Sequence, residues 1–315
     1  MLVSITAIVM NPILAAVFSL VASVSATYVP PSSDSIGSDL QILLHNDLYG
    51  NESTRQDAVI VVGTAGTYRQ AEKACIALSE SLWTPPADYK TADFLDYVSY
   101  QTNHGRGPEH SRVSSPRPRE QRYYVAGSGS DGACMTIDLS CGEYQSVACN
   151  TKLPALCTQS APLSYANITD TSPRRQTRVS SGKAVYRGWR DKLSFRFLGI
   201  RYGSYPERFT DSSPTVPAGE IDALDFGAQC ISRGSRTGPL QGAEDCLFLN
   251  IYTPYLARSR RGKDKLRPVM FWIHGGAYVG GTGSDPTFDG DNLASRGDVV
   301  VVTINYRQDL GHLLT

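Results

Sequence analysis

The first regular hydrophobic pattern in the chain lies between residues 58 and 82. Residues 58–62 form an uninterrupted apolar run, which predicts a short buried strand. The next stretch predicts a helix that opens with Thr67 and Gln70, whose spacing is that of a capping box. One face of this helix is apolar with a 3.6-residue period, at Tyr68, Ala71, Cys75, Leu78 and Leu82. We therefore expect one face of the helix to be buried.

Four strand-like segments follow in the second half of the chain. They are residues 194–200, 247–252, 269–273 and 299–305. The last two are apolar at successive positions, which is typical of central strands that are buried on both faces of a parallel sheet. This pattern predicts an α/β layer architecture for the second half.

Polar, turn-rich segments separate these regions. Residues 103–122 hold many Pro, Arg, Ser and Gly residues and predict a long exposed loop. Residues 159–184 are polar again and predict a linker between two domains, although an ordinary surface loop would have the same composition. The expected organisation is a region at 30–158, this linker, and a second domain at 185–315.

The amino terminus carries an apolar run that ends in small residues, Val24, Ser25 and Ala26. We interpret residues 1–26 as a cleaved signal peptide, because Asn11 and Pro12 interrupt the run and weaken the alternative of a membrane anchor. A secreted, extracellular protein would make the seven cysteines disulfide candidates. Asn51 and Asn167 begin glycosylation sequons, which agree with a secreted glycoprotein.

Composition and charge narrow the class of partner. The 315 residues include 30 basic and 30 acidic side chains, so no net charge attracts nucleic acid or an anionic membrane surface. The basic run from Arg258 to Arg267 reads as a solvated loop between strands. Small or neutral ligands are therefore the expected partners.

A glycine-rich motif follows directly after the apolar segment 269–273. It reads His274-Gly275-Gly276-Ala277-Tyr278-Val279-Gly280-Gly281. Glycines at this point allow a sharp turn that presents backbone N–H groups to a developing oxyanion during acyl transfer. A flexible turn or a phosphate-binding loop are the alternatives, but neither phosphate-binding glycine pattern fits these residues.

The segment upstream of this motif carries a family resemblance. Residues 244–254, reading EDCLFLNIYTP, resemble the signature of the type B carboxylesterase/lipase family. Residues 197–203, FLGIRYG, resemble that family's early strand and turn, with Arg201 in place of a proline. Residues 207–209, Cys230 and residues 299–307 agree in the same order, so the resemblance spans roughly residues 184–310. It covers the amino-terminal part of the family only.

The resemblance implies a fold and a chemistry. The fold would be an incomplete α/β-hydrolase sheet, preceded by a small α+β disulfide-containing domain. Cys230 and Cys246 would form a disulfide, and Gly275, Gly276 and Ala277 would form the oxyanion loop. The implied reaction is hydrolysis of a small carboxylic ester through a serine nucleophile, without a cofactor.

The residues that would perform this reaction are missing from the sequence. No Gly-x-Ser-x-Gly elbow occurs in the 315 residues, and residues 308–312 depart from the family pattern. None of the histidines is a candidate general base: His45, His104, His110, His274 and His312. We therefore expect no ester turnover from this truncated domain. We also expect residues 299–304 to form an uncovered apolar strand, with aggregation or a missing partner as the consequence.

A weaker resemblance marks the first region. Residues 67–75 resemble the first helix of C-type lectin-like domains, and residues 149–157 resemble their closing strand. This likeness implies a Cys75–Cys157 disulfide and leaves Cys149 to pair with Cys134 or Cys141. The family's sugar-and-calcium signature is not found, so a glycan ligand does not follow, and a stapled domain without ligand fits equally well. A secreted, non-catalytic binding or adhesion protein is the alternative function.

Overall fold

The computed structural model describes ten stretches of the chain. They are residues 28–44, 58–84, 122–129, 132–138, 142–164, 168–204, 210–233, 239–258, 266–277 and 279–308. The predicted signal peptide, nearly all of the loop predicted at 103–122, Cys141 and the two sequon asparagines lie outside the described residues.

The elements run in two groups along the chain. The first group is α1 Ser33–Ile36, β1 Leu40–Leu44, β2 Ala58–Gly66, α2 Tyr68–Ala77, β3 Arg122–Ser128, β4 Cys134–Asp138, β5 Tyr144–Val147 and β6 Leu153–Thr158. The second is β7 Gln176–Ser181, β8 Lys183–Arg190, β9 Phe195–Arg201, β10 Ala218–Asp222, β11 Ser232–Arg233, β12 Leu240–Gln241, β13 Phe248–Thr253, β14 Tyr255–Leu256, β15 Val269–Ile273, α3 Asp291–Gly297 and β16 Val300–Ile304. Two short 3-10 turns, Pro173–Arg175 and Pro286–Phe288, complete the second group.

The first sheet has seven strands in the order β14-β1-β2-β6-β3-β4-β5. Helix α2 packs on β2 and β6 and begins at Thr67, whose side chain accepts a hydrogen bond from Gln70 N, so the predicted capping box is confirmed. The helix ends at Ala77, one residue before Leu78, which is buried like Ala71 and Cys75. This is the small α+β region that was expected.

Two disulfides fasten the first sheet. Cys75 on α2 is bonded to Cys157 on β6, which is the pairing implied by the resemblance. Cys149 is bonded to Cys134, so the structure decides between the two partners that the sequence left open. Both bonds tie a loop or helix to a strand of the same sheet.

The second sheet follows the path β10-β8-β9-β13-β16-β15, with β7 beside β8. The strands β15 and β16 are parallel, in the register Val269↔Val300 to Ile273↔Ile304. Parallel neighbours need a crossover connection, which here contains the glycine motif and α3. This arrangement confirms the predicted α/β class.

Two expectations about this sheet are wrong. Strand β15 was predicted to be a buried central strand, but it is the edge of the sheet, and its five side chains are 41–60% exposed. Strand β16 was predicted to be uncovered, but it lies between β13 and β15, and Val301 and Thr303 are buried. An apolar pattern shows that a strand can be buried on both faces, but it does not show which elements cover it. Strand β15 has a neighbouring strand on one side only among the described residues.

The two sheets share one hydrophobic core. Leu40 and Ile60 of the first sheet belong to the same buried cluster as Phe195 and Phe197 of the second. Strand β14 crosses between the groups, because its Leu256 pairs with Leu40. Within the predicted linker at 159–184, the structure has strand β7 and buried side chains instead of an extended connection.

Charged side chains also bind the two sheets together. Glu80, after α2, receives hydrogen bonds from Arg175 (3.0 Å) and Arg190 (2.8 Å). All three side chains are nearly inaccessible. Burial alone would raise the pKa of Glu80, but the charge of Arg190 and hydrogen bonds from Thr158 and Arg190 outweigh it and lower that pKa.

Candidate functional site

The glycine loop begins where β15 ends and returns toward β16. Gly276 and Gly281 have positive φ angles of 133° and 114°. A Cβ at Gly276 would lie 1.7 Å from the carbonyl oxygen of Gly280, so a side chain cannot be accommodated there. Ala277 also has positive φ, at 53°. The loop therefore closes tightly on itself, and position 276 requires glycine because of its positive φ and the close approach of Gly280 O.

His274 lies at the start of the loop and is held there by contacts with Tyr306 and Gly275. Its side chain is buried, and its ring stacks on Tyr306 with 4.3 Å between ring centroids. The Nδ1 atom lies 2.9 Å from Gly275 O, which only accepts hydrogen bonds, so Nδ1 carries the proton. Tyr306 in turn donates its hydroxyl hydrogen to His274 O at 2.6 Å. These contacts hold the start of the loop in place, and the assignment of His274 to the oxyanion motif stays a prediction.

The far side of the loop is tied to strands β13 and β16. Gly283 N donates to Asn305 Oδ1 at 2.8 Å, and Gly283 O accepts from Thr303 Oγ1 at 2.7 Å and from Asn250 Nδ2 at 3.2 Å. Gln308 Nε2 donates to Gly281 O at 3.2 Å. These four side chains are buried. Sequence reasoning did not identify them as supports, although Asn250 and Asn305 lie within the two quoted motif matches.

The backbone N–H groups of the loop are available for binding. No described residue accepts a hydrogen bond from the N–H of Gly275, Gly276 or Ala277, and all three residues are exposed. Free N–H groups at a tight turn are suitable donors to an oxyanion. Such donors are most effective where water is excluded. Among the described residues, nothing shields residues 275–277 from solvent.

The substitution at Arg201, where the family has proline, has a partner in the structure. Arg201 donates to both carboxylate oxygens of Asp245, with 2.6 Å to Oδ2, and its guanidinium lies 4.7 Å from the ring centroid of Phe248. The hydrogen bond from Arg201 lowers the pKa of Asp245. Next to this pair, Cys230 and Cys246 form the implied disulfide, which secures the turn before β13.

The described residues contain no catalytic triad or metal cluster. His274 is their only histidine, and its hydrogen-bonding partner is a carbonyl rather than a serine or a carboxylate. No group of three His, Cys, Asp or Glu side chains within the described ranges could hold a metal ion. None of the described helices is long and apolar enough to cross a membrane.

Comparison with known proteins agrees with the motifs. Residues 179–313 match the sequence profile of the Carboxylesterase family. The chain is 37% identical over 131 residues to acetylcholinesterase-1 of Trittame loki, covering 38% of this chain and 23% of that protein. It is 38% identical over 122 residues to para-nitrobenzyl esterase of Bacillus subtilis, covering 36% and 24%. These matches confirm the carboxylesterase resemblance over this part of the chain.

A solved structure gives the same coverage. A carboxylesterase of Geobacillus stearothermophilus aligns with 38% sequence identity over 42% of this chain and 27% of that chain, with a TM-score of 0.36. The chain spans about a quarter of the length of the two curated relatives named above. The matches bear on residues 179–313, and the lectin-like resemblance of the first region stays a prediction.

Proposed function

We propose, from the carboxylesterase match of residues 179–313, that this region supplies the oxyanion-binding loop of a carboxylic-ester hydrolase. The observation that carries the proposal is the set of free N–H groups at Gly275, Gly276 and Ala277, on a loop that Gly276 holds closed. In the full-length form, a serine would attack a small-molecule ester and form a tetrahedral intermediate. The N–H groups would donate to its negative oxygen.

The supports of the loop have a specific part in this proposal. An oxyanion hole works because its donors already point at the position where charge develops. The bond from Gly283 to Asn305, together with those from Thr303 to Gly283 and from Gln308 to Gly281, fixes the return of the loop to the sheet. His274 and Tyr306 fix its start. The donors would therefore need little rearrangement on binding.

We further propose that the 315-residue chain does not turn over esters alone. Its sequence holds no Gly-x-Ser-x-Gly, and the described residues contain no serine that is hydrogen-bonded to a histidine. Loss of a triad costs roughly a million-fold in kcat, whereas one oxyanion donor contributes ~10²- to 10³-fold. An intact loop does not compensate for that loss.

A loop exchange tests the oxyanion role apart from the missing triad. The corresponding loop of the Bacillus subtilis para-nitrobenzyl esterase would be replaced by residues 274–281 of this chain. We expect the chimera to keep kcat within about tenfold of the parent, and Gly276→Val in the chimera to lower kcat by ~10²-fold or more. A folded chimera with activity as low as its Gly276→Val variant would refute the proposal.

The first region supports a second candidate, a secreted binding or adhesion module. The Cys75–Cys157 bond joins α2 to β6, as the lectin-like resemblance implies, and three disulfides in one chain favour an oxidising compartment. A glycan array with the whole chain tests this role. The whole chain is needed because a fragment ending near residue 160 would lose β14 and expose the core around Leu40. Binding to no glycan would leave the esterase proposal as the sole one.

A further inference from the structure

A cavity of about 490 Å³ lies beside strands β8 and β9, apart from the glycine loop. Its apolar wall consists of Leu163, Trp189, Leu193, Leu198 and Leu224, with Phe226 and Pro286 nearer the solvent. None of residues 274–277 lines it. The volume and the largely apolar wall are those of a small-molecule site.

The charged residues of the cavity favour a cationic ligand over an anionic one. Its lining includes one arginine, Arg196, and three aspartates. Arg196 Nη1 donates to Asp289 at 2.9 Å, its Nε donates to Asp291 at 3.1 Å, and its Nη2 donates to both carboxylates. The guanidinium lies between the rings of Trp189 and Tyr252. Because Arg196 is engaged by both carboxylates, the cavity has no free cation among its described lining residues, and Asp225 adds a further carboxylate.

Asp225 supplies an uncompensated negative charge at the exposed side. Its carboxylate has no ion pair or hydrogen bond among the described residues. The backbone beneath it is fixed, because Trp189 Nε1 donates to Leu224 O at 3.1 Å and the Cα of Gly199 approaches so closely that a Cβ there would lie 2.4 Å from Asp225 O. A carboxylate on such a rigid segment needs little ordering when a cation binds.

A buried hydroxyl adds a second polar group. Ser164 lines the cavity, and its Oγ is buried with no hydrogen-bond partner in the described part of the chain. Its backbone N–H is held at 2.8 Å from Asp191 Oδ2, so the residue is fixed. A buried hydroxyl without a partner favours a ligand with a polar group, from which Ser164 Oγ can accept a hydrogen bond.

We propose that this cavity binds a small primary ammonium ion carried on an apolar or aromatic body. The carboxylate of Asp225 supplies the opposite charge, and Ser164 Oγ accepts a hydrogen bond from the ligand. The apolar body packs along Leu193 and Leu198. A ligand of this class offers a charge opposite to that of Asp225 and a donor to Ser164 Oγ, whereas an anion would be repelled by the carboxylates of the cavity.

The test uses three probes of nearly equal shape on the whole chain, produced without N-glycosylation because Thr169 of the Asn167 sequon lines the cavity. The probes are benzylammonium, benzyl alcohol and benzoate, titrated near neutral pH by ligand-observed NMR. We expect saturable binding of benzylammonium, with benzyl alcohol roughly five- to tenfold weaker and benzoate weaker still. Saturation by none of the three, or equal affinity for all, overturns the proposal.

Two variants locate the binding. Asp225→Asn is expected to lower the affinity for benzylammonium by roughly five- to tenfold. The control is Asp211→Asn, which should leave the affinity unchanged because Asp211 is exposed and does not line the cavity. Ser164→Ala removes a buried oxygen that has no partner. It should therefore lower the affinity for benzylammonium without lowering the midpoint of urea unfolding. If neither Asp225→Asn nor Ser164→Ala changes the affinity, the ammonium binds elsewhere and the proposal is wrong.

Discussion

The inner strands of the first sheet and the outer edge of the second differ in how their apolar residues are covered. In the first sheet, the apolar residues of β1, β2 and β6 are buried beneath α2 and against the second sheet, and two disulfides fasten them. At the outer edge of the second sheet, β15 has equally apolar residues that are exposed. The glycine loop is attached to this exposed strand. Among the described residues, the first sheet is therefore the better-covered region, and the glycine loop lies at an exposed edge of the second.

The sharpest test of the covered region is removal of Glu80. We expect Glu80→Ala to lower the free energy of unfolding by about 3–5 kcal/mol, because Arg190 and Arg175 would stay buried without the carboxylate between them. Urea unfolding followed by circular dichroism measures this. The control is Glu220→Ala, whose ion pair with Arg178 is mostly exposed and should cost less than about 1 kcal/mol. Equal losses in the two variants would contradict the structural role of the buried network.

The disulfides allow a comparison within the same sheet. Cys75 and Cys157 are 82 residues apart, and Cys134 and Cys149 are 15 apart. Since the longer loop restricts the unfolded chain more, replacing Cys75 and Cys157 by alanine should cost about 1–2 kcal/mol more than replacing the other pair. Urea midpoints of the two double variants, read with their slopes, would show this order. The reverse order would mean that native-state packing dominates.

Acidification should weaken the contact between the two sheets. A hydrogen bond from Ser172 and contacts with Arg174 lower the pKa of Asp170 to about 2, and Asp170 also lies 3.4 Å from Arg175. A carboxyl whose folded pKa is lowered stabilises the fold above its unfolded pKa, near 4, and loses this effect as the pH falls toward 2. The lowered pKa of Glu80 acts in the same direction.

The size of this effect follows from Asp170. Asp170→Asn should destabilise the chain at neutral pH by on the order of 2 kcal/mol, and this difference should shrink between about pH 5 and pH 2. Chemical unfolding of both proteins across that range measures it. A difference that stays constant with pH would show that Asp170 acts through packing rather than charge.

Substitutions on the exposed edge strand β15 should change self-association of the chain more than its free energy of unfolding. Phe271 on β15 is 56% exposed, and no strand covers its edge among the described residues. We expect Phe271→Lys to reduce concentration-dependent association in sedimentation velocity, since a lysine on an edge strand opposes strand pairing, with a change of less than about 0.5 kcal/mol in stability. Tyr144→Lys, at an exposed aromatic of the edge strand β5, is the matched control. Equal effects of both variants would show that β15 is not the associating edge.

Local patterns predicted several elements well. The capping box at Thr67 and Gln70 placed the start of α2, and the limits of β9, β13, β15 and β16 agree with the predicted strands within one residue or so. The glycine loop was identified because its residue types are tied to a backbone conformation, which the positive φ of Gly276 bears out. Such features depend on neighbouring residues, so the sequence contains them.

Other features depend on residues far apart in the chain. Glu80 meets Arg190 across 110 positions, and Leu40 pairs with Leu256 through β14. Sequence periodicity does not reveal such distant partners. Residues 159–184 were therefore interpreted as a linker, although Arg175 within them donates a hydrogen bond to the buried Glu80. The exposure of β15 was missed for a related reason: an apolar strand pattern does not say how many neighbours the strand has. The supports Asn305 and Gln308 became visible only through their contacts with the loop.

The most direct test of the central claim is an ester-hydrolysis assay on the purified 315-residue chain. The claim under test is our proposal that residues 275–277 form an oxyanion loop and that the 315 residues lack the groups that would form and release an acyl-enzyme. With p-nitrophenyl acetate, we predict a rate no higher than that of the heat-denatured chain at the same concentration. Saturable turnover that a serine-directed organophosphate abolishes would contradict the claim, because it would show that the 315 residues already contain an active nucleophilic serine.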